Sequence, residues 1–302
     1  MEKIRVAIVG MGNVGKGALD AIETAGDMQL AGVVVRDHAL TRTRDLLPPA
    51  VPVVSHIDNL DRVDVAVLAV PSRNVRSVAL PLLETGISTV DSFDIHGQEL
   101  WQLRQDLKRA AQQGGASAIV GAGWDPGTDS MIRAIFALQA PRGISHTNFG
   151  PGMSMGHTVA AKKVPGVRDA LSLTLPLGYG QHKRQVYVEL EPGYELEQVV
   201  PAIQQDPYYC HDETQVLAVD DVQSLMNTSH GVVLERRGVA GKTANQLFRY
   251  ESRITNPALT GQILVSSARA AKRLPPGAYT LLEVPLAHFL PGSLQTIIEQ
   301  YV

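Results

Sequence analysis

Cysteine is almost missing from this chain. Cys210 is the single one among 302 residues, so no intrachain disulfide can form and a multi-cysteine metal site is excluded. It stands in Pro207-Tyr208-Tyr209-Cys210-His211-Asp212, where a satisfied or half-buried thiol is expected. Long apolar runs are missing too. The run Val63-Asp64-Val65-Ala66-Val67-Leu68-Ala69-Val70 is short and carries a charge, so no membrane-spanning helix is expected. Basic surplus is absent: 27 Lys+Arg face 30 Asp+Glu, and no basic stripe offers nucleic acid an electrostatic footprint. There is no charged leader followed by an unbroken apolar stretch, because Gly10 and Gly12 interrupt the first run. These absences together suggest a cytoplasmic protein. No H-E-x-x-H, P-loop or Ser-His-Asp spacing occurs, which leaves metal and acyl-enzyme chemistry without support. Internal repeats and low-complexity segments are also lacking.

What is present begins at the N-terminus. Residues 4–9 form a β-branched run, then comes Gly10-Met11-Gly12-Asn13-Val14-Gly15, then a helical stretch opening at Lys16. Strand, G-x-G-x-x-G and helix in that order suit a dinucleotide. Gly10 allows a sharp turn, Gly12 lets backbone approach a pyrophosphate, and Gly15 lets helix and strand pack closely. The helix N-terminus then offers N–H groups and a positive dipole end to phosphate. A second strand over 28–35 ends at Arg36-Asp37-His38, where such folds meet the adenosine ribose. An acid there bonds the 2′-hydroxyl of NAD, and an arginine pairs with the 2′-phosphate of NADP. The chain has one of each. Arg36 comes first and can stack on adenine, which favours NADP.

Further strands are expected at 51–54, 64–70, 88–90 and 117–120, alternating with helices over 74–84 and 98–113. This rhythm predicts a doubly wound α/β fold, a Rossmann-type parallel sheet covered on both faces. After Gly127 the rhythm changes. A helix is expected from Thr128 or Asp129 to Ala137, then longer strands at 171–175, 184–190, 216–219, 231–236 and 246–254. Several alternate in polarity, which predicts a mixed, mostly antiparallel α+β second domain with one helix between 192 and 206. A strong helix over 258–273 is expected to return to the first domain. The expected division is 1–120 with 257–302 for the dinucleotide, and 121–256 for substrate and dimerisation.

Polar residues gather just after the expected strands, where ligands bind in such sheets. Asp91 and Asp94 follow one strand, and Trp124 and Asp125 the next. Carboxylates there attract an ammonium group and can accept its proton. Each aspartate taken alone is equally a helix cap or turn residue. The stretch 150–157 is too glycine-rich for a packed element, and its free N–H groups suit a carboxylate nest. His182-Lys183-Arg184, His230 and Asn256 add donors.

Four motifs resemble one family. Asp91-Ser92-Phe93-Asp94-Ile95-His96-Gly97 and Ala122-Gly123-Trp124-Asp125-Pro126-Gly127-Thr128-Asp129 are similar to stretches of the meso-diaminopimelate dehydrogenases. So are residues 148–157, and residues 230–236 with Asn256-Pro257-Ala258. The likeness runs over essentially the whole chain. It implies reversible, NADP-dependent oxidative deamination of the D-centre of meso-2,6-diaminopimelate, in lysine and cell-wall precursor metabolism. The products would be L-2-amino-6-oxopimelate, which cyclises to L-tetrahydrodipicolinate, with ammonia and NADPH. It also implies a homodimer built through the second domain.

Residue by residue, the resemblance assigns Asp94, Trp124 and Asp125 to the reacting amino centre, with Asp94 or Asp125 taking the amine proton. Phe149, Met155 and Gly156 would wall the pocket. Thr174, Arg184, His230 and Asn256 would hold the distal L-amino acid end. NADP would contact Gly10, Gly12, Asn13, Val14 and Gly15, then Arg36, Ser72, Arg73, Asp91, Ser92 and Phe93. No metal is expected. Asp37 after Arg36 departs from the more basic loop common in the family. Two other readings stay open: another NADP-dependent D-amino acid dehydrogenase or imine-reducing enzyme of similar build, and a catalytically silent NADP sensor.

Overall fold

The structure, a computed structural model, describes residues 2–225 and 229–302, without the side chain of Met155. The first elements in chain order are β1 (Ile4–Val9), α1 (Asn13–Thr24), β2 (Met28–Val34), α2 (Leu40–Arg44), β3 (Val53–Val54) and β4 (Val65–Leu68). Then come α3 (Ser72–Glu84), β5 (Ser88–Asp91), α4 (Gln98–Gly114), β6 (Ser117–Ile119) and α5 (Thr128–Gln139). The middle of the chain forms β7 (Arg142–Phe149), β8 (Gly152–Met153), α6 (Met155–Ala161), β9 (Val167–Gly178), β10 (Gln181–Leu190) and α7 (Leu196–Gln205). It continues through β11 (Thr214–Ala218), β12 (His230–Ala240) and β13 (Thr243–Ile254). The chain closes with α8 (Asn256–Ala271), β14 (Gly277–Tyr279) and α9 (Leu294–Tyr301).

These elements form two compact units, Met1–Met131 with Pro257–Val302, and Ile132–Asn256. The first holds a seven-stranded sheet in the order β14-β6-β5-β4-β1-β2-β3. Every pairing in it is parallel. The doubly wound Rossmann-type sheet is therefore present, and its β-branched strands are buried on both faces, as parallel strands must be. On one face Ala18 and Ile22 of α1 and Ile263 and Leu264 of α8 join Val6, Ile8 and Val67. On the other, Val75 and Leu83 of α3 and Leu103 and Leu107 of α4 join Ala66, Leu68 and Ala118. The helix α8 does return to this unit. A Cβ on Gly261 would stand 2.3 Å from the Gly17 carbonyl carbon, so α8 crosses α1 backbone to backbone.

The second unit holds a four-stranded sheet, β11-β10-β9-β8, and a three-stranded sheet, β13-β12-β7. Only the β10–β11 pair is parallel among its pairings, which is the mixed, mostly antiparallel build expected. Val186, Val188 and Val216 of the larger sheet pack with Ala160 and Ala161 of α6 and Val199 and Ile203 of α7. Among the described residues no helix is long and apolar enough to cross a membrane.

Some boundaries differ from the sequence reading. The first helix opens at Asn13, not Lys16, because Gly12 acts as its N-cap. The expected start of the second domain at 121 also differs. Residues 121–131 belong with the first unit, since Gly121 and Ala122 bond back to the end of β5. The Ala122 N–H donates to the Asp91 carbonyl at 2.7 Å, and the Gly121 N–H to its carboxylate at 3.1 Å. β7, β8, α2, α6, β14 and α9 were not anticipated. The last two are short, and α6 lies in a stretch whose glycines obscured its helical period.

Asp91 is fully buried. Its Oδ1 accepts the Phe93 and Gly121 N–H groups, while Oδ2 has no partner among the described residues. Burial pushes this carboxyl up to about 6, against the opposing pull of those two bonds. The folded state thus favours neutral Asp91, so its contribution to stability is complete at low pH and is lost as pH rises through 6. Asp91→Asn keeps an acceptor and cannot ionise. Its stability relative to the parent should therefore rise by about 2 kcal/mol between pH 4.5 and pH 8, measured by urea unfolding at both. A difference that does not change with pH would mean that Asp91 ionises without penalty.

Candidate active site

The glycine loop is built by close contact. Gly10 has φ +97°, and a Cβ there would lie 2.4 Å from the Ala69 carbonyl oxygen. A Cβ on Gly15 would lie 2.2 Å from the Gly10 oxygen. Gly12 differs: nothing stands within 4 Å of its missing Cβ. Helix α1 has no acidic residue in its first turn and no side-chain cap. Its leading N–H groups, those of Asn13 and Val14 among them, have no intrahelical acceptor, an arrangement that suits an anion. Next to it lies a pocket of about 310 Å³ lined by Met11, Gly12, Asn13, Lys16, Val35, Ala39, Arg42, Thr43 and Leu46. Arg36, exposed at the end of β2, is not among those lining residues. Lys16 and Arg42 bring the cations, and the sequence reading missed both. Arg42 lies in α2, which is only five residues long. So short a helix shows no period from which its inner face could be read.

Other candidate residues also follow strand ends in this unit. Ser72 and Arg73 open α3 just after β4. The Ser72 hydroxyl donates to Asp94 Oδ1 at 2.5 Å and accepts the Asp94 N–H at 3.2 Å. One residue assigned to cofactor and one assigned to the amino centre are thus brought together, and Asp94 is exposed. Phe93 is buried and Ser92 half-buried. Trp124 is buried and Asp125 half-buried, in a tight loop ahead of α5. The Asp129 N–H donates to the Trp124 carbonyl at 3.0 Å, and the Thr128 N–H to that of Gly123 at 3.1 Å. These backbone bonds close the loop that carries Asp125 into α5.

In the second unit the glycine-rich stretch 150–157 is not a free nest. Gly152 and Met153 form β8 against Thr174 and Leu173. The Gly150 N–H donates to Gly231 at 2.6 Å, and the Ser154 N–H to Ser172 at 2.8 Å. A Cβ on Gly150 would meet the Thr174 oxygen at 2.2 Å, and one on Gly152 the Ser229 oxygen at 2.5 Å. The glycines therefore let this segment wedge between β9 and the start of β12, where His230 sits. Met155 and Gly156 open α6; the Met155 side chain lies outside the described residues. Phe149, at the end of β7, is 43% exposed. Asn256 opens α8 and is half-buried.

Thr174 and Arg184 pair directly across β9 and β10. Both are buried, and Arg184 Nη1 donates to the Thr174 hydroxyl. Arg184 Nε donates to Asp212 Oδ2 at 2.7 Å, and Nη2 to His182 Nε2 at 2.8 Å. Beside this cluster His157 lies edge-on to Tyr208 and Tyr209, with centroids 5.4 and 5.1 Å away. Its Nδ1 meets the Ser154 hydroxyl at 2.8 Å. Burial, then the Arg184 charge, holds the His157 pKa below the ordinary imidazole range. Burial does the same to His230. Asp212 and His157 were not singled out from sequence. Asp212 stands in a stretch notable there only for its cysteine.

The candidate residues therefore fall into two groups, a glycine loop with acids at strand ends and an arginine–threonine–histidine cluster. The diaminopimelic acid dehydrogenase C-terminal domain matches residues 123–180, and a CoA binding domain matches residues 1–94. The meso-diaminopimelate D-dehydrogenase of Bacteroides fragilis is 50% identical over 302 residues, all of each chain. The C. glutamicum DAP dehydrogenase in complex with DAP superposes with TM-score 0.79 at 30% identity, again over all of both chains. An engineered D-amino acid dehydrogenase bound to NADP+ follows at TM-score 0.72 and 29% identity, covering 99% of this chain and 100% of its own. With half of its residues shared over its full length, this chain belongs to the meso-diaminopimelate D-dehydrogenase family.

Proposed function

We propose that this chain oxidises the D-centre of meso-2,6-diaminopimelate with NADP, reversibly giving L-2-amino-6-oxopimelate and ammonia, as a step of lysine and cell-wall precursor metabolism. The full-length identity of 50% to the Bacteroides fragilis enzyme carries this reading. The direct test is NADPH formation with meso-, LL- and DD-diaminopimelate side by side. Turnover confined to the meso isomer is expected. Turnover of apolar D-amino acids alone would overturn the reading.

The residues fit the cofactor. Open space at Gly12 and the uncapped start of α1 suit a pyrophosphate, and Lys16, Arg42 and Arg36 supply cations for a 2′-phosphate. Gly10 and Gly15 hold that loop, and Ser72, Arg73, Asp91, Ser92 and Phe93 form the strand ends on the nicotinamide side. When bound, NADP supplies the acceptor for the hydride leaving the D-carbon. A charge-assisted contact is worth about 1.5–3 kcal/mol, roughly tenfold or more in affinity. Arg42→Ala and Arg36→Ala should each weaken NADP by about that factor and leave NAD unchanged. Equal efficiency with NAD and NADP in the parent enzyme would sink the assignment.

At the reacting centre Asp94, Trp124 and Asp125 orient the amino group. Only the neutral amine can release its electron pair toward the forming imine, so a carboxylate must take the proton first. Asp94 is suited to this because the Ser72 hydroxyl fixes its carboxylate; Asp125 is the other candidate. Asp94→Asn should keep NADP affinity, measured by fluorescence, and lose roughly 100-fold or more in turnover. An unfolded variant would point to a structural cap, and a fully active one would remove Asp94 from the site.

The distal amino acid end is held by Thr174, Arg184, His230 and Asn256, and Phe149, Met155 and Gly156 wall the pocket. An apolar side chain would leave N–H donors of buried Arg184 unfilled, which costs about 1–3 kcal/mol. Arg184→Met with Thr174→Ile should therefore weaken activity on meso-diaminopimelate and raise it on D-leucine, by kinetics on both substrates. Loss without gain would make Arg184 a folding residue. The enzyme is proposed to act as a cytoplasmic homodimer. Leu138, Ile144 and Leu247 support an interface through the second unit, since all three are large, apolar and exposed there.

A further inference from the structure

Arg184 is 8% exposed, and a guanidinium so buried requires a counter-charge and filled hydrogen bonds. The counter-charge comes from neither strand of its hairpin. It comes from the segment between α7 and β11, where Asp212 Oδ2 accepts Nε at 2.7 Å. That segment is tied down separately: the Arg184 N–H donates to the Glu213 carbonyl at 2.8 Å, and the Asp212 N–H to that of Tyr209 at 3.0 Å. Thr174 takes one N–H of Nη1, and one from Nη2 points to His182 Nε2 at 2.8 Å. A guanidinium has five N–H groups in a planar fork. Three are used here, one from each nitrogen. One N–H on each terminal nitrogen remains without a partner among the described residues. A carboxylate can accept one N–H from each terminal nitrogen of a guanidinium.

We propose that Asp212 is a positioning residue for substrate specificity: it locks the Arg184 guanidinium through Nε so that the two remaining terminal N–H groups receive the distal carboxylate. The inference rests on the reading of Arg184 as the holder of that carboxylate. Thr174 and His182 fix the plane from its two terminal nitrogens, and Asp212 fixes it from the third. Without Asp212 the fork can rotate about its stem, and the buried charge loses its permanent partner. Asp212 also keeps the empty site near neutral. The substrate is therefore chosen by the two-pronged geometry of its carboxylate more than by charge alone.

The test is steady-state kinetics on the full-length enzyme for Asp212→Ala, Asp212→Asn and Arg184→Met, with NADP affinity and thermal melting measured alongside. Asp212→Ala should raise the KM for meso-diaminopimelate about tenfold or more, with kcat and NADP affinity little changed. Asp212→Asn keeps an oxygen for Nε and should recover most of that loss. Should Asp212→Ala fail to fold, Asp212→Ser is read in its place. An unchanged KM in Asp212→Ala beside a raised one in Arg184→Met overturns the role of Asp212 and leaves the distal-site reading standing. An unchanged KM in Arg184→Met overturns both. A lowered KM in Asp212→Ala would make Asp212 a competitor of the substrate, and equal losses in KM, kcat and NADP affinity without rescue by Asn would make it merely structural. Either result rejects the proposal.

Discussion

Backbone-to-backbone contact at glycine is the constraint on which both candidate regions depend. In the first unit the loop after β1 turns against Ala69 and then folds back on itself, leaving no room for a Cβ at Gly10 or Gly15. Only that compression brings the start of α1 to the end of β1 with its N–H groups exposed. In the second unit the segment from Gly150 to Gly152 lies against β9 and β12 at distances that exclude any side chain. It thereby draws Thr174 and His230 toward one another. An alanine at these points would force main chain apart by about an ångström, and close-packed interiors do not absorb such a shift.

Buried charge is handled differently in the two units. Asp91 accepts two N–H groups that join the ends of β5 and β6, and its second oxygen has no partner among the described residues. The response is a raised pKa, since neutrality costs less than an unpaired buried anion. Arg184 cannot shed its proton, so the fold must supply an anion, and Asp212 does so. Arg269 shows the same solution away from either region, with both oxygens of Asp27 at 2.5 and 2.8 Å. A carboxyl group can be buried and left to protonate. A guanidinium has to be paired.

Much of this was legible in the chain because it is local. The glycine fingerprint sits between a β-branched run and a helix, and each glycine's task follows from neighbours a few residues away. Asp91, Asp94, Trp124 and Asp125 fall just after apolar runs, so their location at strand ends followed from period and length. The fate of residues 150–157 was not legible. A run of glycines reads equally as a loose loop or as a tight wedge, and the partners that decide between them lie on β9 and β12. Arg42 escaped for a similar reason: so short a helix has no face until a neighbouring strand supplies one.

By itself the sequence determined the parallel sheet, the nucleotide loop and the change to a mixed second unit, because hydrophobic period and turn chemistry act within a dozen residues. It also determined family, through motifs whose residues need no partner to be recognised. Only the tertiary structure decided which charges meet. Asp212 reaches Arg184 because β11 runs parallel to β10, and such a pairing needs a long crossover that brings distant segments together. Likewise Gly121 reaches Asp91 because β6 lies beside β5. Distances of this kind are set by sheet register, and register is a property of two strands that neither strand contains alone.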